Sequence, residues 1–229
     1  KELAKNGMVE VNGRTIKLRG ANTMGYMQQC VLRGDRNRLR DDILLARICR
    51  LNFLRFTQRP VQPEIYDLCD RLGMMNQTDL PLFGVLRRGQ FCEAVRQAEE
   101  MECLIRTHPS SVLVSYINEP FPDRPDLRQR HLDRRELEMF FHAADQAVRV
   151  RNPDRRIKHV DGDYNPPDSG LPDNHCYTCW YSQHGLPLGK LIRGYWQAVK
   201  PGWNYACGEF GAEGLDPVET MIKYYPSDW

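Results

Sequence analysis

Hydrophobic positions along the chain follow two rhythms that take turns. Short apolar runs rich in β-branched and aromatic residues, such as Asn52 to Thr57, Met74 to Leu82, Ser111 to Asn118 and Arg156 to Val160, read as buried strands. Between them lie longer stretches whose apolar residues recur at helical spacing. The first carries Leu39, Ile43, Leu44, Ile48 and Leu51. The second, opened by Pro63 and closed by Gly73, carries Ile65, Leu68, Cys69 and Leu72. The third carries Phe91, Val95, Ala98, Met101 and Ile105 and ends at His108-Pro109. The fourth has its start written into it. Asp133 can cap it, Glu136 holds the reciprocal capping-box position, and Leu132 can staple onto Leu137, ahead of a stripe of Phe140, Phe141, Ala144 and Val148.

The same reading places a first strand at about Ile16 to Asn22, a sixth at Asn174 to Trp180 and a seventh at Trp203 to Phe210. Helices follow at Leu191 to Val199 and Val218 to Tyr224. Strands alternating with helices specify a parallel sheet. Ahead of them, Asn12-Gly13 sits between Met8 to Val11 and Arg14 to Lys17, the signal of a tight hairpin, because a type I′ turn needs positive φ at both central residues. The expectation is therefore α/β: one (β/α)8 barrel domain over residues 1–229, with residues 1–18 as a hairpin lead-in. Its 229 residues fall short of the roughly 250 of a complete barrel, and no eighth strand follows the seventh, so a barrel truncated before that strand is expected.

Chemistry gathers at the strand ends. The run from Ser111 closes in Asn118-Glu119-Pro120, and Pro120 cannot donate to a sheet ladder, so the strand stops there. Asn118 and Glu119 are left at the C-terminal mouth, where barrels and open α/β sheets bind ligands. The seventh strand closes in Gly208-Glu209-Phe210-Gly211. Arg55, Asp79, Asp161 (with Asp163) and Trp180 lie at the ends of others, and His175 and Tyr177 fall on the sixth. The bland readings differ: solvated charges for the acids, a turn for Asp161-Gly162-Asp163, a structural hydrogen-bond partner for His175, packing for Trp180.

These motifs, in this order, resemble the retaining glycoside hydrolases of clan A. Val11-Asn12-Gly13, Leu18-Arg19-Gly20-Ala21-Asn22 and Asn52-Phe53-Leu54-Arg55 are similar to glycoside hydrolase family 2, which holds the β-galactosidases, β-glucuronidases and β-mannosidases. The resemblance covers nearly the whole chain. It implies a barrel entered from a β-sandwich, Glu119 as acid/base, Glu209 as nucleophile, and Asn118 on the sugar 2-hydroxyl. It further implies Arg55 beside the nucleophile, lowering the pKa of Glu209, and a tyrosine near the nucleophile, aligned here with Tyr177. The like-charged neighbour is expected to raise Glu119. Asp79, Asp161, His175 and Trp180 are candidate sugar contacts. The implied activity is hydrolysis of terminal β-glycosides, with galactose as the leading glycone and mannose or glucuronic acid open. A non-catalytic carbohydrate-binding barrel is the rival reading. Relatives are often oligomeric, so a homo-oligomer is expected of the full-length protein.

Charge narrows the field further. With 32 basic and 30 acidic residues the net charge is +2, which argues against a nucleic-acid partner. Arg33-Gly34-Asp35-Arg36-Asn37-Arg38 mixes both signs and reads as a solvated loop. No run is apolar enough to span a bilayer. Eight cysteines are too few for a disulfide scaffold. Cys49, Cys69, Cys103 and Cys207 read as small buried thiols, giving a preference for a reducing, cytoplasmic compartment. Cys176 and Cys179 form a Cys-x-x-Cys without a second ligand pair, so no metal set and no cofactor is expected.

Overall fold

A computed structural model describes residues 9–120, 130–162, 173, 175, 206–211 and 216–226. Strands β1 (Val9–Val11) and β2 (Arg14–Ile16) form the expected antiparallel hairpin, with φ of 52° at Asn12 and 75° at Gly13. Both turn residues take the positive φ that type I′ geometry demands.

The first barrel strand, β3, is Gly20–Thr23, so Ile16 belongs to the hairpin and not to it. Asn52 explains the shift. Its side chain accepts from the Arg19 amide at 2.8 Å and donates to the Lys17 carbonyl at 3.0 Å, which holds residues 17–19 outside the ladder.

From β3 the chain builds a five-stranded sheet, every neighbouring pair parallel, in the order β3, β4 (Phe53–Phe56), β5 (Met75–Asp79), β6 (Ser111–Asn118), β7 (Ile157–Asp161). The connections are helical: α1 (Tyr26–Leu32) and α2 (Arg36–Ile48) before β4, α3 (Pro63–Leu72) before β5, α4 (Phe91–Ile105) before β6, α5 (Arg134–Arg151) before β7. A further helix, α6, is Val218–Tyr224. Helix α1 was not expected from the pattern; its one buried residue is Met27, too little to write a stripe. Residues 36–38 are exposed as expected but helical, because the Asp35 side chain caps α2 by accepting from the Arg38 amide at 3.0 Å. The capping box at α5 forms as the sequence specifies.

Strand β4 is buried at all four positions, as a strand covered on both faces must be. Its outward residues Leu54 and Phe56 join the helices in one core with Ile43, Tyr66, Phe140 and Val148. Its inward Phe53 packs on Leu113, with Met75, Leu18 and Ala206 around them. Phe140 is wholly buried, and truncating such a ring to alanine costs about 3–5 kcal/mol. On α4, Glu102 replaces an apolar residue on the buried face. Arg155 answers it with two parallel hydrogen bonds, 2.7 and 2.9 Å, and Asn152 adds a third at 2.9 Å, pinning α4 to the chain entering β7.

The expectation for the cysteines needs correcting. Cys103 is exposed because the buried face of α4 is set by Ala94, Ala98, Met101 and Ile105, Cys49 is exposed as the C-cap of α2, and Cys207 is only partly buried; among the described cysteines only Cys69 is fully buried. The predicted strand Asn174 to Trp180, apart from His175, and the predicted helix Leu191 to Val199 lie outside the described residues, as do 203–205 of the seventh strand, while its described part, 206–210, forms no ladder strand. What is described there is a parallel bridge joining Asp173 to Ala206. Among the described residues no helix is long and apolar enough to cross a membrane.

Candidate active site

The polar mouth follows from a break in strand alternation. On β6, Tyr116 and Ile117 both belong to the outer core, so the next residue, Asn118, turns inward. On β7, His159 stacks on Phe141 at 5.0 Å, Val160 joins the same core, and Asp161 turns inward. One residue of slippage on each strand thus aims a polar side chain at the axis. Glu119 follows with φ of 45°, its amide donating to the Asp161 carbonyl at 2.8 Å. A left-handed φ on a long side chain costs of order 1–3 kcal/mol and is held only when surrounding contacts over-determine it.

Arg55, buried at the end of β4, is the hub. Nε donates to Asp79 Oδ2 at 2.8 Å, Nη1 to Glu209 Oε1 at 2.7 Å and lies 2.7 Å from Asp161 Oδ1, and Nη2 donates to Asn118 Oδ1 at 2.5 Å. Since guanidinium only donates, the Asn118 carbonyl must face it, which leaves the Asn118 amide NH₂ as the group free to donate elsewhere. Burial disfavours a charged Arg55, but Asp79, Asp161 and Glu209 outweigh it and hold its pKa above normal.

Beneath the hub the acids are themselves occupied. Gln77 donates at 2.7 Å to both Asp79 Oδ1 and Asp161 Oδ2, and the Gln58 amide adds 3.1 Å to Asp79. Burial raises the pKa of Asp79, against the pull of Arg55. Burial pushes Asp161 the same way, yet Lys158, His175 and Arg55 hold it well below the usual carboxylate range. Lys158 Nζ bridges Asp161 and Asp173, the latter at 2.8 Å, and these acids keep it charged despite full burial. Asp173 also accepts from the amides of Gly162 at 3.0 Å and Gly208 at 3.2 Å. Gly208 is needed there: a Cβ would stand 2.0 Å from Asp161 Oδ1 and 2.9 Å from Asp173 Oδ2.

His175 completes the site. Its Nδ1 faces Glu119 Oε1 at 2.6 Å and its Nε2 faces Asp161 Oδ1 at 3.0 Å. Burial alone would depress its pKa, but the bonds to Asp161 and Glu119, with Glu209 and Asp173 nearby, push it up to about 10. Glu119 moves opposite to expectation. The hydrogen bond from His175 lowers its pKa, outweighing the like-charged neighbours. One oxygen each of Glu119 and Glu209 lie within 4.8 Å of each other, both beside His175.

Of the residues singled out from sequence, Arg55, Asp79, Asn118, Glu119, Asp161, His175 and Glu209 therefore meet in one cluster. Tyr177, Trp180 and Asp163 lie outside the described residues. Sequence reasoning missed Gln77, Lys158 and Asp173. A lysine inside the apolar run Arg156 to Val160 was the available signal, because a buried cation demands acids around it.

Two acid–histidine groupings here, Glu119 with His175 and Glu209, and Asp161 with Asp173 and His175, are close enough to surround a cation. Both include His175, whose two ring nitrogens each face a carboxylate oxygen. A third, Asp67 with Asp70 and His108, is engaged in fixing the start of β6: Asp70 accepts from the Ser110 amide at 2.9 Å and meets His108 Nδ1 at 2.7 Å.

Known proteins share this arrangement of sequence and fold. The family model described as glycosyl hydrolases family 2, TIM barrel domain, matches residues 3–200. A β-galactosidase of Aeromonas hydrophila subsp. hydrophila is 27% identical over 124 residues, which is 50% of this chain and 12% of that protein. A β-glucuronidase of Sus scrofa is 27% identical over 188 residues, 76% of this chain and 27% of that protein. Among solved structures, a β-D-mannosidase from Dictyoglomus thermophilum superposes with a TM-score of 0.71 at 19% identity, over 97% of this chain and 27% of that one. The chain thus spans well under a third of the length of each of these relatives.

Proposed function

Since this chain belongs to glycosyl hydrolase family 2, we propose that it hydrolyses terminal β-glycosidic bonds by a retaining double displacement, with Glu209 as nucleophile and Glu119 as acid, then base. The observation that carries the reading is the separation of these two carboxylates. Retaining enzymes hold them about 5–5.5 Å apart and inverting enzymes about 6.5–9.5 Å, to admit a water. Oxygens of Glu119 and Glu209 within 4.8 Å of each other favour the retaining geometry.

Each neighbour has a part. Arg55, 2.7 Å from Glu209, pairs with the nucleophile and orients it. Asn118, fixed by Arg55, presents its NH₂ to the sugar 2-hydroxyl, an interaction that strengthens as oxocarbenium character develops. Asp79 and Asp161 act from below, by holding Arg55. Tyr177 and Trp180 remain candidates for the sugar site.

Charge supports one class of glycone. Asp79, Asp161, Asp173, Glu119 and Glu209 face Arg55, Lys158 and His175, and each of these cations is already ion-paired with acids of the cluster. Among the described residues this surplus of carboxylates disfavours a uronate, which supports a neutral hexoside as the substrate class, with galactose the leading glycone. The longer match to a β-glucuronidase is the observation favouring glucuronic acid as the second reading.

The test is incubation with 2-deoxy-2-fluoro glycosides of galactose, mannose and glucuronic acid, followed by intact mass and peptide mapping. An adduct on Glu209 with one sugar establishes nucleophile, mechanism and glycone together. An adduct on another carboxylate, or none on a folded chain, overturns the reading.

A further inference from the structure

We infer that His175 is the proton store of Glu119: the two groups share one mobile proton along their 2.6 Å contact, and the ring supplies it to the carboxyl when the leaving group departs. The inference rests on the assignment of Glu119 as acid/base.

The ring's two contacts decide its protonation. A neutral imidazole has one N–H, yet both nitrogens of His175 face carboxylate oxygens, Glu119 at 2.6 Å and Asp161 at 3.0 Å. Either the ring is imidazolium or one acid is protonated. Asp161 is a poor candidate, because its oxygens are bound by Lys158, Arg55 and Gln77. Glu119 has no lysine or arginine within ion-pair distance among the described residues, and it stands half-exposed at the mouth. The second proton position is therefore Glu119 Oε1.

The surroundings set which side holds the proton at rest. Glu119 at the end of β6 and Asp161 at the end of β7 touch the ring. Asp173 Oδ1 lies 3.7 Å from Nε2 and Glu209 Oε2 3.6 Å from Nδ1. The cations Lys158 and Arg55 stand one contact further out, behind Asp161 and Asp173. Four acids at the ring favour imidazolium, which agrees with a ring pKa of about 10 and a lowered Glu119. Glu119 thus waits as a carboxylate, and its acid proton is parked on Nδ1.

The steps balance. The Nδ1–H bond breaks as a Glu119 O–H forms, leaving a neutral ring that still donates from Nε2 to Asp161. The terminal carboxyl torsion of glutamate is broad and two-fold, so turning it carries the proton from ring to sugar. Glu209 then bonds the anomeric carbon, the glycosidic C–O electrons go to the leaving oxygen, and that oxygen takes the Glu119 proton. In the second displacement a water oxygen bonds the anomeric carbon as the bond to Glu209 breaks. The water's proton goes to Glu119 and returns to Nδ1. His175 is on this account a positioning residue for the proton, acting through Glu119.

The experiment compares the chain with its His175→Asn variant on aryl β-glycosides of graded leaving-group acidity, across pH. The expected result is an alkaline limb of kcat/KM that drops by at least about two pH units, with roughly 100-fold loss on phenyl glycosides at pH 8 and less than about three-fold on 2,4-dinitrophenyl glycosides, which need no acid. A limb that stays put, or an equal loss on every leaving group, overturns the inference. Fluorosugar labelling of Glu209 in the variant reports separately on the nucleophile and on folding. Ring ¹⁵N shifts of His175 in the unaltered chain test the protonation directly, with no variant and no turnover. An imidazolium persisting at pH 8 supports the proton store, and a neutral ring there sinks it even if the chain proves to be a glycosidase.

Discussion

Replacing Gly208 with alanine adds one methyl at the tightest point of the site. The new Cβ would stand 2.0 Å from Asp161 Oδ1, well inside contact distance, and 2.9 Å from Asp173 Oδ2. Neither acid can retreat. Asp161 is held by Arg55, Gln77, Lys158 and His175, and Asp173 by Lys158 and two backbone amides. The backbone carrying Gly208 and Glu209 must give way, by on the order of 1 Å. Overpacking of this kind costs about 1–3 kcal/mol. The larger effect falls on chemistry, since misplacing a reacting group by about 1 Å costs on the order of 100-fold in rate. Gly89→Ala is the control, because a Cβ there meets nothing within 4 Å and its φ is not left-handed. Urea unfolding and the rate of fluorosugar labelling of Glu209 should therefore separate the two variants. Gly208→Ala should lose both some stability and most of the labelling rate, and Gly89→Ala neither. Labelling of Gly208→Ala within about three-fold of the original chain would refute the claim that this close approach positions Glu209.

Other variants probe the hub and the frame. Arg55→Met strands Asp79 and Asp161 without their shared cation and should cost about 3–5 kcal/mol in urea unfolding; a loss under about 1 kcal/mol would contradict its role. Asp133→Ala removes the α5 capping box and should cost about 1 kcal/mol, lowering Tm by about 2–4 °C, with labelling of Glu209 unchanged. Stability should also follow pH with a definite sign. His175 is raised from 6.5 to about 10 on folding, so its contribution is complete below 6.5 and is lost as pH climbs toward 10. Asp161 is lowered from 3.8, so its contribution is complete above that value and is lost on acidification below it. A urea midpoint that rises between pH 7 and 9 would contradict the imidazolium.

How much of this was legible in the sequence depended on whether one residue's neighbours were close along the chain. The hairpin turn at Asn12-Gly13, the α5 cap and the alternation of strands and helices as far as Asp161 are local patterns, and they formed as written. So did the placing of Asn118 and Glu119, because Pro120 ends their strand. The start of β3 was misjudged because Asn52, far along the chain, withholds residues 17–19 from the sheet. The pKa of Glu119 was misjudged for the same reason. Its partner, His175, is 56 positions away, and the clamp that makes it a cation comes from Asp161 on another strand. Lys158, Gln77 and Asp173 acquire meaning only once the barrel axis brings them together.

The left-handed backbone at Glu119 has a consequence for the contact its side chain makes. Glycine or asparagine would sit there with less backbone strain, so the glutamate is kept against a conformational cost that its 2.6 Å contact with His175 helps to offset. A strained backbone that carries a carboxylate thus ties the fold's local geometry to the His175 contact, so that relaxing one releases the other.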